Sequence, residues 1–174
     1  MRRKRKWIVM NIELFKDMDL VMNQIVKGAF LTVSDGERLN TMTIGWATIG
    51  IIWNKPIMIV AVRDSRYTYD LMNKAKDFSV SLPMNTDLAK ALSYCGTHSG
   101  KSEDKFEASG ITTRASKNII SPVISECDLF FECKIVYAQF MDPTLLDEKI
   151  ESTSYPQSDY HKMYYGEILE RYAD

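Results

Sequence analysis

Residues 40–56 read NTMTIGWATIGIIWNKP, and this stretch restricts the fold more than any other. Asn40, Thr41 and Thr43 make a polar threshold. Behind them, Ile44 to Trp53 is almost unbroken apolar sequence with Gly45 and Gly50 set into it. Such a run suits a buried strand, with the glycines marking bends or close backbone approach. Its neighbours supply partners. GAFLTVSDG alternates outward and inward positions and ends in Asp35-Gly36, a hairpin signal. TMTIGWATIG is therefore predicted as the returning strand. PIMIVAVR is a third strand, entered through a proline suited to a strand's first residue.

Further along, RYTYDLMNKAKD has helical spacing at Tyr67, Leu71 and Ala75, and FSVSLP is a short alternating strand. NTDLAKALSYCG reads as a helix with Asn85 or Thr86 as cap and Gly96 as stop, and SEDKFEASG as a shorter one ending at Gly110. After Pro122, LFFECKIVYAQF is a long strand, and YHKMYYGEILERYA closes the pattern with a break at Gly166. The chain is thus mainly β, with helices inserted between the fourth strand and the fifth. Hairpin links around a single core predict a barrel over a βαβ sheet. Its 174 residues fit one domain, 1–174, with 1–17 as an N-terminal arm that is basic at its start.

Charge narrows the function classes. Without Arg2, Arg3, Lys4, Arg5 and Lys6, 17 basic residues face 23 acidic ones, so the body has no electrostatic case for nucleic acid. The basic head reads as a solvated tail. Trp7 to Met10 is too short for a signal-peptide core, and the twelve residues from Met42 to Trp53 are too few to span a bilayer. Cys95, Cys127 and Cys133 are odd in number and form no CxxC, which suits free thiols in the cytoplasm.

Three stretches carry polar chemistry. GTHSGKS, residues 96–102, imitates a P-loop, but three residues separate its glycines instead of four and it follows a helix, not a strand. Its hydroxyls, Ser99, Gly100 and Lys101 still make a candidate anion site ahead of a helix; the plain alternative is a helix start capped by Ser99 or Ser102. VRDSRYT brings Arg63, Ser65, Arg66 and Thr68 together at a helix start, with Ser65 as the expected cap. That suits an anion, and the alternative pairs Arg63 with Asp64 or Asp70. Cys95-x-x-His98 lacks a second pair to complete a metal site, so no metal is expected. His161, in DYHKMYYGEI, opens the last strand and reads either as a surface histidine or as a site residue.

Together NTMTIGWATIGIIWNKP, VRDSRYTYDLM, FSVSLP, ALSYCGTHSGKSEDKF and HKMYYGEI resemble the flavin reductase-like family, the FMN-binding split barrels, and within it the flavoredoxin-type branch. They occur in the family's order across most of residues 28–168. The resemblance implies that Asn40, Thr41, Met42 and Thr43 contact the isoalloxazine ring, largely through backbone, with Trp46 packed beside it. It implies Arg63, Ser65, Arg66 and Thr68 at the ribityl phosphate, closed over by Ser99, Gly100 and Lys101. His161 would approach the ring as the catalytic residue, with Tyr164 nearby. Two departures stand out. Asp64 replaces a common proline, and Lys101 with Ser102 replaces the usual arginine and aspartate.

The implied function is an FMN-binding flavoprotein, an NAD(P)H:flavin oxidoreductase moving hydride from a reduced nicotinamide to FMN, assembled as a homodimer. The alternatives are a flavoredoxin-like carrier reduced by a partner protein, and a binding protein without redox turnover. No GxGxxG fingerprint is present to decide among them.

Overall fold

The computed structural model describes residues 11–173, so the basic head at residues 2–6 lies outside the described residues. A short 3-10 turn at Ile12–Phe15 leads into α1 (Met18–Lys27), which presents Val21 and Ile25 to the core. Then come β1 (Ala29–Ser34), β2 (Leu39–Ile44), β3 (Ala47–Ile52), β4 (Lys55–Arg63) and α2 (Tyr67–Met72). β5 (Asp77–Leu82), α3 (Ala89–Thr97), α4 (Lys105–Ser109) and the two-residue strands β6 (Thr113–Arg114) and β7 (Val123–Ile124) follow. The chain ends with β8 (Leu129–Phe140), α5 (Glu148–Ser154) and β9 (His161–Ala173).

Seven strands form one antiparallel sheet in the order β2-β1-β5-β8-β9-β4-β3. The expected hairpin is there, with Phe30 opposite Thr43 and Ser34 opposite Leu39. The expected single strand TMTIGWATIG is not. It breaks at Gly45-Trp46 into β2 and β3, which sit at opposite ends of the sheet order. Three Cα steps span at most ~11 Å, so a seven-stranded sheet can meet this link only by curling until its two edges approach. The edges do not pair with each other, which leaves the barrel open where the polar threshold lies.

The interior holds Leu31, Val33, Val60, Val62, Phe78, Val80, Phe131 and Tyr164, sealed at one side by α1. Gly166 is a packing requirement, since a Cβ there would fall 2.6 Å from the Phe78 ring and 2.7 Å from Cys133 Cβ. A second cluster of Phe30, Leu92, Cys95, Ile124 and Phe130 lies under α3 and α4. Both faces of β1 are therefore buried, against the expected in–out alternation, and Thr32 is accommodated by a 3.0 Å bond to the Thr41 hydroxyl.

Local expectations at the helix ends need correction. α3 starts at Ala89, and its first amide is met by Asp87; Asn85 and Thr86 instead donate to Asp128, and Gly96 lies inside the helix. Asp104, not Ser99 or Ser102, caps α4, and Gly110 ends it as expected in a left-handed conformation. Ser65 does not cap α2, which begins at Tyr67 without any side-chain cap.

Candidate functional site

The open side of the barrel holds two joined hollows. The larger, about 180 Å³, is lined by Met42, Thr43, Ile44, Gly45, Trp46, Ala61, Arg63, Arg66 and His161. The smaller, about 80 Å³, holds Ser65, Thr68, Ser99 and Gly100 and shares Met42 and Arg66 with the first. One polar groove thus runs from an aromatic end at Trp46 and His161 to a basic, hydroxyl-rich end.

Each wall follows from the local fold. β2 is an edge strand, so about half of its backbone N–H and C=O groups lack a ladder partner and face the opening. Asn40 is buried, and its Nδ2 donates to the Thr68 hydroxyl at 2.7 Å. Gly100 lies against it so closely that a Cβ there would collide with the Asn40 amide oxygen. The glycine lets the 97–102 loop close onto β2. Arg66, just before α2, donates to the Gly96 carbonyl at 3.2 Å and otherwise faces both hollows.

At the aromatic end the Trp46 ring lies 5.0 Å from His161. Burial, with the positive charge of Arg63 adding to it, pushes His161 down to about 4, so the imidazole is neutral near pH 7. Its Nδ1 is 2.8 Å from the Tyr155 hydroxyl.

Eleven of the fourteen residues expected at the site line these two hollows. The Thr41 side chain does not, being buried with its hydroxyl spent on Thr32 and the Leu31 carbonyl. Tyr164 lies inside the barrel, with its hydroxyl on Asn73 at 3.0 Å. Lys101 lines neither of the two but an adjoining outer hollow of about 520 Å³, which shares Asn40, Gly100 and Lys105 with the smaller one and also holds Glu103 and Asp104. Arg63 is where expected but not free. Its guanidinium bonds the Asp159 carboxylate, the Asp159 carbonyl at 2.9 Å and the Ser154 carbonyl at 3.0 Å, rather than Asp64 or Asp70.

Two residues were missed. Lys105 lines the smaller hollow while being only 3% exposed, and its Nζ donates to the Cys95 carbonyl at 3.0 Å. Among the described residues no carboxylate lies within ion-pair distance of it. Burial lowers its pKa. The sequence signal was slight, a lysine in the charged run SEDKFE that reads as a solvated helix face. Tyr155 was missed because TSYPQSDY reads as a loop. Cys95 sits beside Lys105, but burial pushes its thiol up, away from the reactive thiolate form. Among the described residues no three His, Cys, Asp or Glu side chains are grouped to hold a metal.

Residues 22–173 match the flavin reductase like domain, and the chain belongs to that family. An uncharacterized protein of Archaeoglobus fulgidus is 35% identical over 107 residues, which is 62% of this chain and 59% of that protein's own length. Among solved structures, flavoredoxin from Methanosarcina acetivorans superposes with a TM-score of 0.66 at 25% identity, covering 84% of this chain and 68% of the other. The NADH:FAD oxidoreductase SgcE6 of Streptomyces globisporus C-1027 gives a TM-score of 0.63 at 16% identity, over 91% of this chain and 84% of its own. The shared architecture is the split barrel. No helix among the described residues is long and apolar enough to cross a membrane.

Proposed function

We propose that this protein binds FMN in the joined hollows and passes hydride to it from a reduced nicotinamide, NADH or NADPH. The observation that carries the reading is the polarity of the groove. The aromatic side chains of Trp46 and His161 at one end suit a ring, and at its other end two cations, Arg66 and Lys105, stand among hydroxyls with no carboxylate within ion-pair distance among the described residues. A buried, uncompensated lysine is costly, and a phosphate oxygen there would answer it through charge-assisted hydrogen bonds. At about 80 Å³ the smaller hollow suits a single phosphate, which supports FMN over FAD.

The flavin would supply the redox chemistry, taking up the two electrons and the proton that leave the nicotinamide as hydride. The chain's own residues hold and screen. Arg66 and Lys105, with Ser65, Thr68 and Ser99, would fix the phosphate, and Arg63, at the other end, would hold the loop below His161. Outward amides of β2 near Asn40, Met42 and Thr43 would donate to the ring's polar edge, where negative charge grows. Trp46 would exclude water from one side, and His161 would orient the incoming donor. The exposed Ile51, Trp53, Tyr137 and Phe140 support a homodimer that covers this face. The three buried, unpaired cysteines support a cytoplasmic site of action. We read residues 1–174 as one domain.

A second reading is favoured by the flavoredoxin likeness: an FMN electron carrier reduced by a protein partner. Anaerobic mixing of FMN-loaded protein with NADH and with NADPH separates the two. The reductase should lose flavin absorbance in one turnover at a rate that saturates with nicotinamide, because hydride transfer needs a bound, stacked donor. Loaded protein that bleaches with dithionite but with neither nicotinamide would overturn the reductase reading in favour of the carrier.

A further inference from the structure

His161 has two ring nitrogens, and what it can do in the groove depends on which carries the proton. We propose that Tyr155 is a positioning residue which, by donating its hydroxyl proton to Nδ1, holds His161 as a neutral imidazole presenting Nε2–H to the larger hollow. His161 would then act as a hydrogen-bond donor to a carbonyl oxygen bound there, not as a proton acceptor. The inference deepens the proposed function and rests on it for the identity of that carbonyl.

Four observations carry it. First, the Tyr155 hydroxyl is 2.8 Å from His161 Nδ1 and meets no other hydrogen-bond partner among the described residues. If the tyrosine accepted instead, its own O–H would be left unpaired in a residue only 3% exposed. Donation satisfies both groups. Second, His161 Nε2 has no partner among the described residues, yet it is not among the polar atoms sealed away unpaired, and His161 lines the larger hollow. Nε2 is therefore open to whatever fills that space.

Third, Tyr155 is held on both sides. It ends α5, its N–H bonding the Glu151 carbonyl at 2.9 Å, and its own carbonyl accepts from Ser158 N–H at 3.0 Å. Ser158 adopts a left-handed φ of 57°, a tight return toward β9. Arg63 then clamps this turn from the sheet, reaching Ser154 before it and Asp159 after it, with its guanidinium 5.2 Å from the Tyr155 ring centre. This gives Arg63 a role that its place in the sequence did not suggest. Fourth, every charged group facing His161 is accounted for. Burial is the largest influence against protonation, Arg63 on β4 and Arg66 ahead of α2 act with it, and Asp159 alone opposes it. The neutral ring needs no other proton source.

The test reads the tautomer directly by long-range 1H–15N NMR on histidine-labelled protein. The chain has two histidines, so His98→Gln assigns the spectrum. The proposal expects His161 of the wild type to show a protonated Nε2 and an unprotonated, hydrogen-bonded Nδ1 between pH 6 and 8. A protonated Nδ1 would overturn it, and that result needs no variant that must fold. In Tyr155→Phe the single tautomer should give way to a mixture. The titration midpoint should also rise by about 0.5–1 unit, the equivalent of one neutral hydrogen bond. An unchanged tautomer and midpoint in the folded variant would overturn the role of Tyr155. Both readouts are taken without nicotinamide, so their failure is distinguishable from failure of the proposed reaction.

Discussion

Glu132 and Lys105 are both charged and both almost wholly buried, one 0% and the other 3% exposed, yet their surroundings differ in kind. Glu132, on β8, accepts from the Lys117 and Asn118 amides at 2.7 Å each, from the Tyr172 hydroxyl at 2.9 Å and from the Asn118 side chain at 3.3 Å. Asp77 does the same nearby, taking the Ile120 and Ser121 amides at 3.2 and 2.9 Å. These carboxylates tie the loop before β7 to the barrel, and nothing about them calls for a ligand. Lys105 has one carbonyl and an open hollow beside it. A protein answers the buried charges that hold it together. Those left unanswered in a groove mark where something else is meant to bind.

The largest expected effect tests the first half of that contrast. Glu132→Ala removes a buried acceptor that two backbone amides, a tyrosine hydroxyl and a side-chain amide share, and should lower unfolding free energy by about 3–4 kcal/mol, measured by urea denaturation. A loss below about 1 kcal/mol would mean that water replaces the carboxylate and that the two regions do not differ as described.

The next effect concerns the other buried titratable group of the groove. His161 titrates near 4 when folded and near 6.5 when unfolded. Below pH 6.5 the unfolded chain therefore takes up a proton that the folded chain refuses until about pH 4. Stability should fall across that window, by up to about 3 kcal/mol, and be fully restored above it. Urea curves at pH 7.5 and pH 4.5 for wild type and His161→Gln should show the smaller pH loss in the variant. Equal losses would place the acid sensitivity elsewhere and contradict the depressed titration of His161.

Much of this architecture is legible in the chain because it is locally encoded. Asp35-Gly36 between alternating runs gives the β1–β2 hairpin, and LFFECKIVYAQF is β8 to the residue. What hides is what depends on distant partners. Gly45 signals a bend, but that the strand ends there depends on distant partners: β2 stops where its partner β1 begins, and β3 is claimed by β4. Arg63 was expected at an anion because it sits beside Ser65 and Arg66, but Asp159, 96 positions away in sequence, takes it first. The Thr41 side chain is buried instead, its hydroxyl paired with Thr32 and the Leu31 carbonyl. Lys105 shows the opposite case. Its neighbours Glu103, Asp104 and Glu107 suggest a solvated helix, while α4 packs it inward beneath α3.

The most direct test of the central claim, that the unanswered cations await a flavin phosphate, is a paired titration of FMN and riboflavin into wild type and Lys105→Met. Methionine keeps the stem's volume and drops the charge, so the variant should fold with no loss of stability. The account predicts that wild type binds FMN at least tenfold more tightly than riboflavin. The variant should lose about 2 kcal/mol for FMN, near 30-fold, and almost nothing for riboflavin, which lacks the phosphate. Equal affinity of wild type for the two ligands, or an equal loss for both in the variant, would contradict it.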